Sequence, residues 1–193
     1  MIRLDLGSGS RPRDGFLGVD IAELPGVKTF DLVSGSRWPW ADGSVDELCS
    51  SHFIEHIPAD TVEIMHPNPS APYITRRVAQ DRLLFFFDEA YRVIRPGGLF
   101  HLVWPSLKST DAFRDPTHRR FLPLEFTHYL SREARETMGV SHYVASCNWV
   151  VVEGGVNLHT EPRAEGAEPF TEFDLHRVWD TQRAWSVTLC ADK

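Results

Sequence analysis

Long apolar runs, paired cysteines and a surplus of positive charge are all missing from this chain. No stretch reaches the roughly 18 consecutive apolar residues of a membrane-spanning helix. Its three cysteines, Cys49, Cys147 and Cys190, are odd in number and far apart. They build neither a disulfide framework nor a Cys-x-x-Cys zinc site within one chain, and read as small core thiols. A formal charge of −7 argues against a broad nucleic-acid face, which needs an excess of lysine and arginine. Local basic clusters persist at Arg76-Arg77 and from Arg114 to Arg120; the first reads as solvated surface. Met1-Ile2-Arg3-Leu4-Asp5 leads straight into a strand pattern without the form of a signal peptide. These absences lead us to expect a cytoplasmic protein with no membrane contact.

What is present fits one α/β domain over residues 1–193, with 42% hydrophobic and 24% charged residues. Short apolar segments at 2–6, 16–21, 27–31, 44–50 and 99–104, separated by Gly, Pro, Asp and Ser, predict buried parallel strands. Leu83, Phe87, Ala90 and Ile94 recur at helical spacing and predict a helix from about Arg76 to Ile94, closed by Pro96-Gly97-Gly98. The Pro-, Asn- and His-containing stretch 58–75 reads as an inserted loop or lid. Ser131 is a candidate cap for a short helix through Met138. Residues 149–152 and 184–189 predict two strands with no helix between them, hence an antiparallel hairpin, joined through a polar loop at 161–168.

The chemistry is concentrated at strand ends. Leu4-Asp5-Leu6-Gly7-Ser8-Gly9 is an apolar strand entering a Gly-x-Gly turn, and Val19-Asp20-Ile21 is a second strand ending in an acid. Glycines admit a ligand close to the backbone, and such an acid accepts hydrogen bonds from ribose hydroxyls. Further along stand Phe30-Asp31-Leu32, Trp38-Pro39-Trp40-Ala41-Asp42-Gly43-Ser44-Val45-Asp46, Ser51-His52-Phe53-Ile54-Glu55-His56 and Glu89-Ala90-Tyr91-Arg92-Val93-Ile94-Arg95-Pro96-Gly97-Gly98.

In order and rough spacing over residues 2–105, this series resembles the class I S-adenosylmethionine-dependent methyltransferases, in particular the small, type 11-like ones. The resemblance implies a Rossmann-like fold with a mainly parallel seven-stranded sheet and an antiparallel C-terminal hairpin. It implies S-adenosylmethionine as cofactor: Gly7 and Gly9 beneath its methionine part, Asp5 near its amino group, Asp20 on the ribose with Ile21 beside it. Asp31 would meet the adenine amino group, Leu32 its ring, and Ser51 and His52 the sulfonium and the acceptor. Asp111 to Phe121 resembles an Asp-Pro-x-His segment of some small methyltransferases, which makes His118 a candidate base oriented by Asp115 within an acceptor-side segment at 106–145. Trp104, Phe113 and Phe121 are candidate pocket walls.

The sequence departs from that pattern between the first two strands. Pro12 and Gly15 fall there, so the usual helix shrinks to a turn and its N-terminus gives the methionine carboxylate little help. Arg11 or Arg13 is the candidate compensating charge. We also expect no helix ahead of the first strand, where many relatives carry one.

The expected activity is methyl transfer to a small-molecule or sugar hydroxyl or amine. The alternatives are a nucleic-acid base or nucleotide reached through Arg114, Arg119 and Arg120, or a non-catalytic cofactor-binding relative. His52-Phe53-Ile54-Glu55-His56 also matches the H-x-x-E-H zinc-peptidase pattern. Zinc would need a helix and a third ligand that the local sequence does not offer, so we assign no metal. A nicotinamide dehydrogenase would need a third glycine where Pro12 stands. Composition and motifs leave the oligomeric state open.

Overall fold

The computed structural model describes residues 1–68, 71–143, 145–158 and 182–193. In chain order the elements are β1 (Arg3–Leu6), β2 (Leu17–Asp20), β3 (Lys28–Thr29), β4 (Val45–Ser51), β5 (Thr61–Asn68), β6 (Ala71–Asp81), α1 (Arg82–Val93), β7 (Ile94–Pro105), α2 (Asp111–Arg114), α3 (Arg132–Thr137), β8 (Trp149–Leu158) and β9 (Gln182–Ala191). Single-turn or longer 3-10 segments lie at Ile54–His56 and Leu124–Leu130. The main sheet has seven strands in the order β3-β2-β1-β4-β7-β9-β8. β1, β2, β3, β4 and β7 run parallel, and β9 is antiparallel to both β7 and β8. The expected architecture therefore holds, including the terminal hairpin; its connection at 161–168 lies outside the described residues.

One face of the sheet carries the apolar core. Leu4, Leu6, Leu48, Phe100, Leu102, Trp149 and Leu189 are buried there against Phe86 and Phe87 of α1. The stripe predicted for the main helix is thus the core stripe. Phe86 alone meets Trp38, Phe53, Phe87 and Phe100 edge-on or tilted. The other face bears a cross-strand polar row. Arg3 pairs with Glu47 at 3.0 Å, Glu47 with His101 Nε2 at 3.2 Å, and His101 Nδ1 with the Thr188 hydroxyl at 3.0 Å. Parallel strands are normally apolar on both faces because helices cover both; here no described helix lies over this row, and its side chains are polar accordingly.

Two elements differ from expectation. α1 starts at Arg82, not near Arg76, because Asp81 caps it by accepting the amides of Leu83 and Leu84. Residues before it form β6, which pairs antiparallel with β5 in register Thr61↔Asp81 and Val62↔Gln80. The stretch 58–75 is therefore mostly a hairpin. Its Pro and Asn residues hid the alternation of Val62 and Ile64 with Thr61 and Glu63. Between β1 and β2 the helix is indeed absent. The turn folds back on β2 instead, and Gly18 makes this possible: a Cβ there would stand 2.5 Å from Ser8 Oγ and 2.8 Å from Pro12 Cγ.

Candidate functional site

Ligands of open α/β sheets bind beyond the carboxyl ends of the strands. At that edge Gly7 and Gly9 take φ of 72° and 55°, left-handed values that favour glycine. A Cβ on Gly9 would meet nothing within 4 Å, whereas one on Gly7 would lie 2.2 Å from Phe53 Cδ2. The turn is thus open above Gly9 and sealed by Phe53 at Gly7. Asp20 accepts the Gly9 amide on Oδ2 at 2.9 Å and the Ala22 amide on Oδ1 at 3.0 Å. A carboxylate has about four lone-pair directions, so each oxygen keeps one for a ligand. Ile21 beside it is 69% exposed, an apolar surface open to a planar ring.

The remaining cofactor candidates divide. Asp5 is buried and accepts the Arg13 amide at 2.8 Å, which ties down the turn. The Arg13 guanidinium lies beside the Cys49 thiol and 5.3 Å from the Phe16 ring centroid, while Arg11 is exposed. Burial, and next the Asp5 carboxylate, push the Cys49 thiol up to about 12. Asp31 accepts the Val33 amide in a tight local turn. Leu32 is buried in the core, with its carbonyl taken by the Trp38 indole, and presents no open face.

β4 ends in Ser51, and His52 follows with φ 54°, the one described non-glycine residue at positive φ. Its amide donates to the Val103 carbonyl at 2.9 Å and its Nδ1 lies 3.2 Å from Glu55 Oε1. Such strained backbone costs about 1–3 kcal/mol and gathers at functional sites. The amides of Arg119 and Arg120 both donate to the Glu55 carbonyl, at 2.8 and 3.0 Å. This pins the segment after α2 against the turn after β4. A cleft of about 500 Å³ opens between them, lined by His52, Glu55, His56, Asp111, Arg114 and His118 among others.

Within the cleft His118 and His56 stand edge to face with ring centroids 4.7 Å apart. His118 Nδ1 lies 2.8 Å from the Ala112 carbonyl, which can only accept, so the ring carries its proton on Nδ1 and its lone pair on Nε2. Asp115 does not perform the orienting role expected of it. It accepts both the amide and the hydroxyl of Thr117, at 2.8 and 2.6 Å, and these bonds lower its pKa. Two further expectations change. Trp104 is core, its indole bonded to the Leu122 carbonyl, whereas Phe113 and Phe121 are exposed and stacked at 5.0 Å. Arg120 reaches inward to the Ile57 and Pro58 carbonyls and to Asp81, and Arg114 pairs with Asp111 at 2.8 Å, whereas Arg119 is exposed and donates to the Pro116 carbonyl, so two of the three arginines are paired in place. A larger cavity of about 830 Å³ lies between the β5–β6 hairpin and α1 and shares no lining residue with the cleft.

No protein-family model matches the chain, and no curated protein is detectably similar to it in sequence. Solved structures are similar in fold. An S-adenosylmethionine-dependent methyltransferase from Archaeoglobus fulgidus superposes with a TM-score of 0.57 at 16% identity, over 97% of this chain and 85% of that one. The fold is that of the class I S-adenosylmethionine-dependent methyltransferases. Within this fold the chemistry varies. Also similar is the 1,6-didemethyltoxoflavin-N1-methyltransferase of Burkholderia thailandensis, solved with S-adenosylhomocysteine (TM-score 0.52, 12% identity, covering 100% of this chain and 71% of that one). The cyclase SpnF matches equally well (TM-score 0.53, 12% identity, 99% and 74%). The methyltransferase fold positions a site; the reaction must be argued from the residues in it.

Proposed function

We propose that the chain binds S-adenosylmethionine over the Gly7–Gly9 turn and methylates a hydroxyl or amine of a small molecule or sugar held in the cleft beside His52. The observation that carries this is Asp20. Its carboxylate is locked by two amides at the end of β2, one of them that of Gly9, where the turn is open, and each oxygen keeps a lone pair for a ligand. Ribose hydroxyls would bond there, with Ile21 under the adenine ring and Asp31 at its amino group. Arg11 is the exposed cation nearest the turn in sequence and would face the methionine carboxylate. Asp5 and Leu32 act one step removed, Asp5 by holding Arg13 and Leu32 by packing.

Bound there, the cofactor supplies an electrophilic methyl group whose transfer breaks a carbon–sulfur bond and forms a carbon–oxygen or carbon–nitrogen bond. The chain must bring the acceptor into line and take its proton. His52 and Ser51 stand between the turn and the cleft, and His118 offers its Nε2 lone pair from the far wall. The mixed charges around the cleft favour a small polar acceptor over a nucleic acid, since the arginines that line it, Arg114 and Arg183, both face Asp111. Calorimetry with S-adenosylmethionine and S-adenosylhomocysteine tests the reading: both should bind, and Asp20→Ala should weaken both at least about tenfold, the equivalent of one charge-assisted hydrogen bond. Failure of the unmodified chain to bind either would overturn it.

A further inference from the structure

The H-x-x-E-H segment finds in three dimensions the third ligand that it lacks in sequence. Glu55 and His56 leave β4 on a 3-10 turn, and His118 arrives from the segment after α2. One ligand atom from each of Glu55, His56 and His118 lies within 4.8 Å of the other two. Two ligands at about 2.1 Å from one ion stand at most about 4.2 Å apart. Small side-chain rotations therefore suffice to close the set on an ion.

Hydrogen bonding leaves one nitrogen on each histidine free to coordinate. Thr117 gives its hydroxyl proton to Asp115, so it can only accept from His56 Nδ1, 3.0 Å away. That places the proton of His56 on Nδ1 and the lone pair on Nε2, as the Ala112 carbonyl does for His118. The Ala112 carbonyl behind His118, and behind His56 the Thr117 hydroxyl that Asp115 orients, give the outer support that metal-binding histidines require. The carboxylate also keeps a free oxygen, for only its Oε1 is engaged, by His52 Nδ1 at 3.2 Å. The Glu55 side chain is only 3% exposed, and its Oε2 has no hydrogen-bond partner among the described residues. A buried carboxylate oxygen without a partner costs free energy that a cation would recover.

We propose that Glu55, His56 and His118 bind a divalent first-row transition-metal ion of the zinc type, with positions left open toward the cleft. Two imidazoles and one carboxylate suit such an ion better than magnesium or calcium, which prefer oxygen ligands. The site stands without the methyltransferase reading. With it, the ion would hold and acidify an acceptor hydroxyl, and His118 would act as a ligand in place of a base.

The test uses the full chain stripped with EDTA and held free of S-adenosylmethionine. Zn²⁺ is titrated by calorimetry, and Co²⁺ is followed by its visible absorption, which reports coordination. We expect stoichiometric Zn²⁺ binding and a Co²⁺ spectrum of low coordination number. His56→Ala and His118→Ala should each weaken Zn²⁺ at least tenfold, on the order of the loss seen when ligand support is removed. Thr117→Val keeps all three ligands and should weaken it about 10–100-fold. Should His56→Ala not fold, as judged by circular dichroism, His118→Ala and Thr117→Val decide. Asp20→Ala should weaken cofactor binding and keep Zn²⁺ affinity, which separates the two proposals. No Zn²⁺ uptake by the unmodified chain, or unchanged affinity in the His118 and Thr117 variants, overturns the site.

Discussion

His52 holds a left-handed backbone conformation that costs an L-residue about 1–2 kcal/mol. Its place at the end of β4 explains why the fold tolerates that cost: the side chain is delivered to the cleft mouth while the amide stays bonded to Val103. Glycine would relieve the strain, so His52→Gly should leave stability within about 1 kcal/mol of the parent in urea denaturation. The same variant should lose methyl transfer. The two turn glycines give a sharper comparison. Gly9→Ala meets only the cost of its positive φ, about 1 kcal/mol. Gly7→Ala adds a clash with Phe53 and should destabilise by at least about 1 kcal/mol more; equal losses would mean that Phe53 moves aside freely. Cys49, whose thiol is pushed up to about 12 by burial and Asp5, should resist iodoacetamide in the native protein at pH 8 and react only after unfolding.

At the level of elements, α1 is the organising piece. Its apolar stripe fills the core, and Glu89 and Arg92 on its flank hold the connection from β3 to β4. Arg92 bonds Glu89 through two nitrogens at 2.7 Å, reaches Asp42 at 2.6 Å, and caps the carbonyls of Trp38 and Trp40. Glu89 in turn accepts the Trp38 amide at 2.6 Å. The Trp-Pro-Trp-Ala-Asp-Gly and Glu-Ala-Tyr-Arg segments are therefore two halves of one structural latch. Arg92→Met should cost about 3–5 kcal/mol, because it leaves Glu89 buried without its partner. Phe86→Ala should cost a similar 3–5 kcal/mol from the cavity it opens. Both follow from denaturant midpoints. The second half of α1 is legible in the sequence through its stripe and its Pro-Gly-Gly stop. Its start is not, because β6 runs into it without a break and only the Asp81 cap marks the boundary.

Across the whole molecule, charge and burial set the response to pH. Asp88 on α1 is half-buried at the wall of the larger cavity, and desolvation raises its pKa above the usual value even though it accepts from Gln80, Ser146 and Cys147. A carboxyl whose folded pKa is raised favours the folded state below its unfolded value of about 4, and that contribution is lost as pH rises through the folded value. Replacing it with Asn removes the titration, so Asp88→Asn should flatten the fall in stability above about pH 4, measured by denaturation at a series of pH values. An unchanged pH profile would show that Asp88 ionises in the fold as freely as in the unfolded chain.

The order of short buried strands, the Gly-x-Gly turn, the acids at strand ends and the closing hairpin are all properties of local pattern. Alternation, glycine freedom and turn chemistry act over a few residues, so the chain by itself determined the methyltransferase fold and the shortened first crossover. Relations between distant segments obey no such local rule. Only the tertiary structure decided that Asp115 serves Thr117 and not His118, that Arg120 turns inward, and that Leu32 and Trp104 are core. It alone brought His118 to Glu55 and His56, through two backbone amides on one carbonyl. Side chains that meet across the carboxyl edge of a sheet are set by register and loop closure, and those are settled only when the whole chain packs.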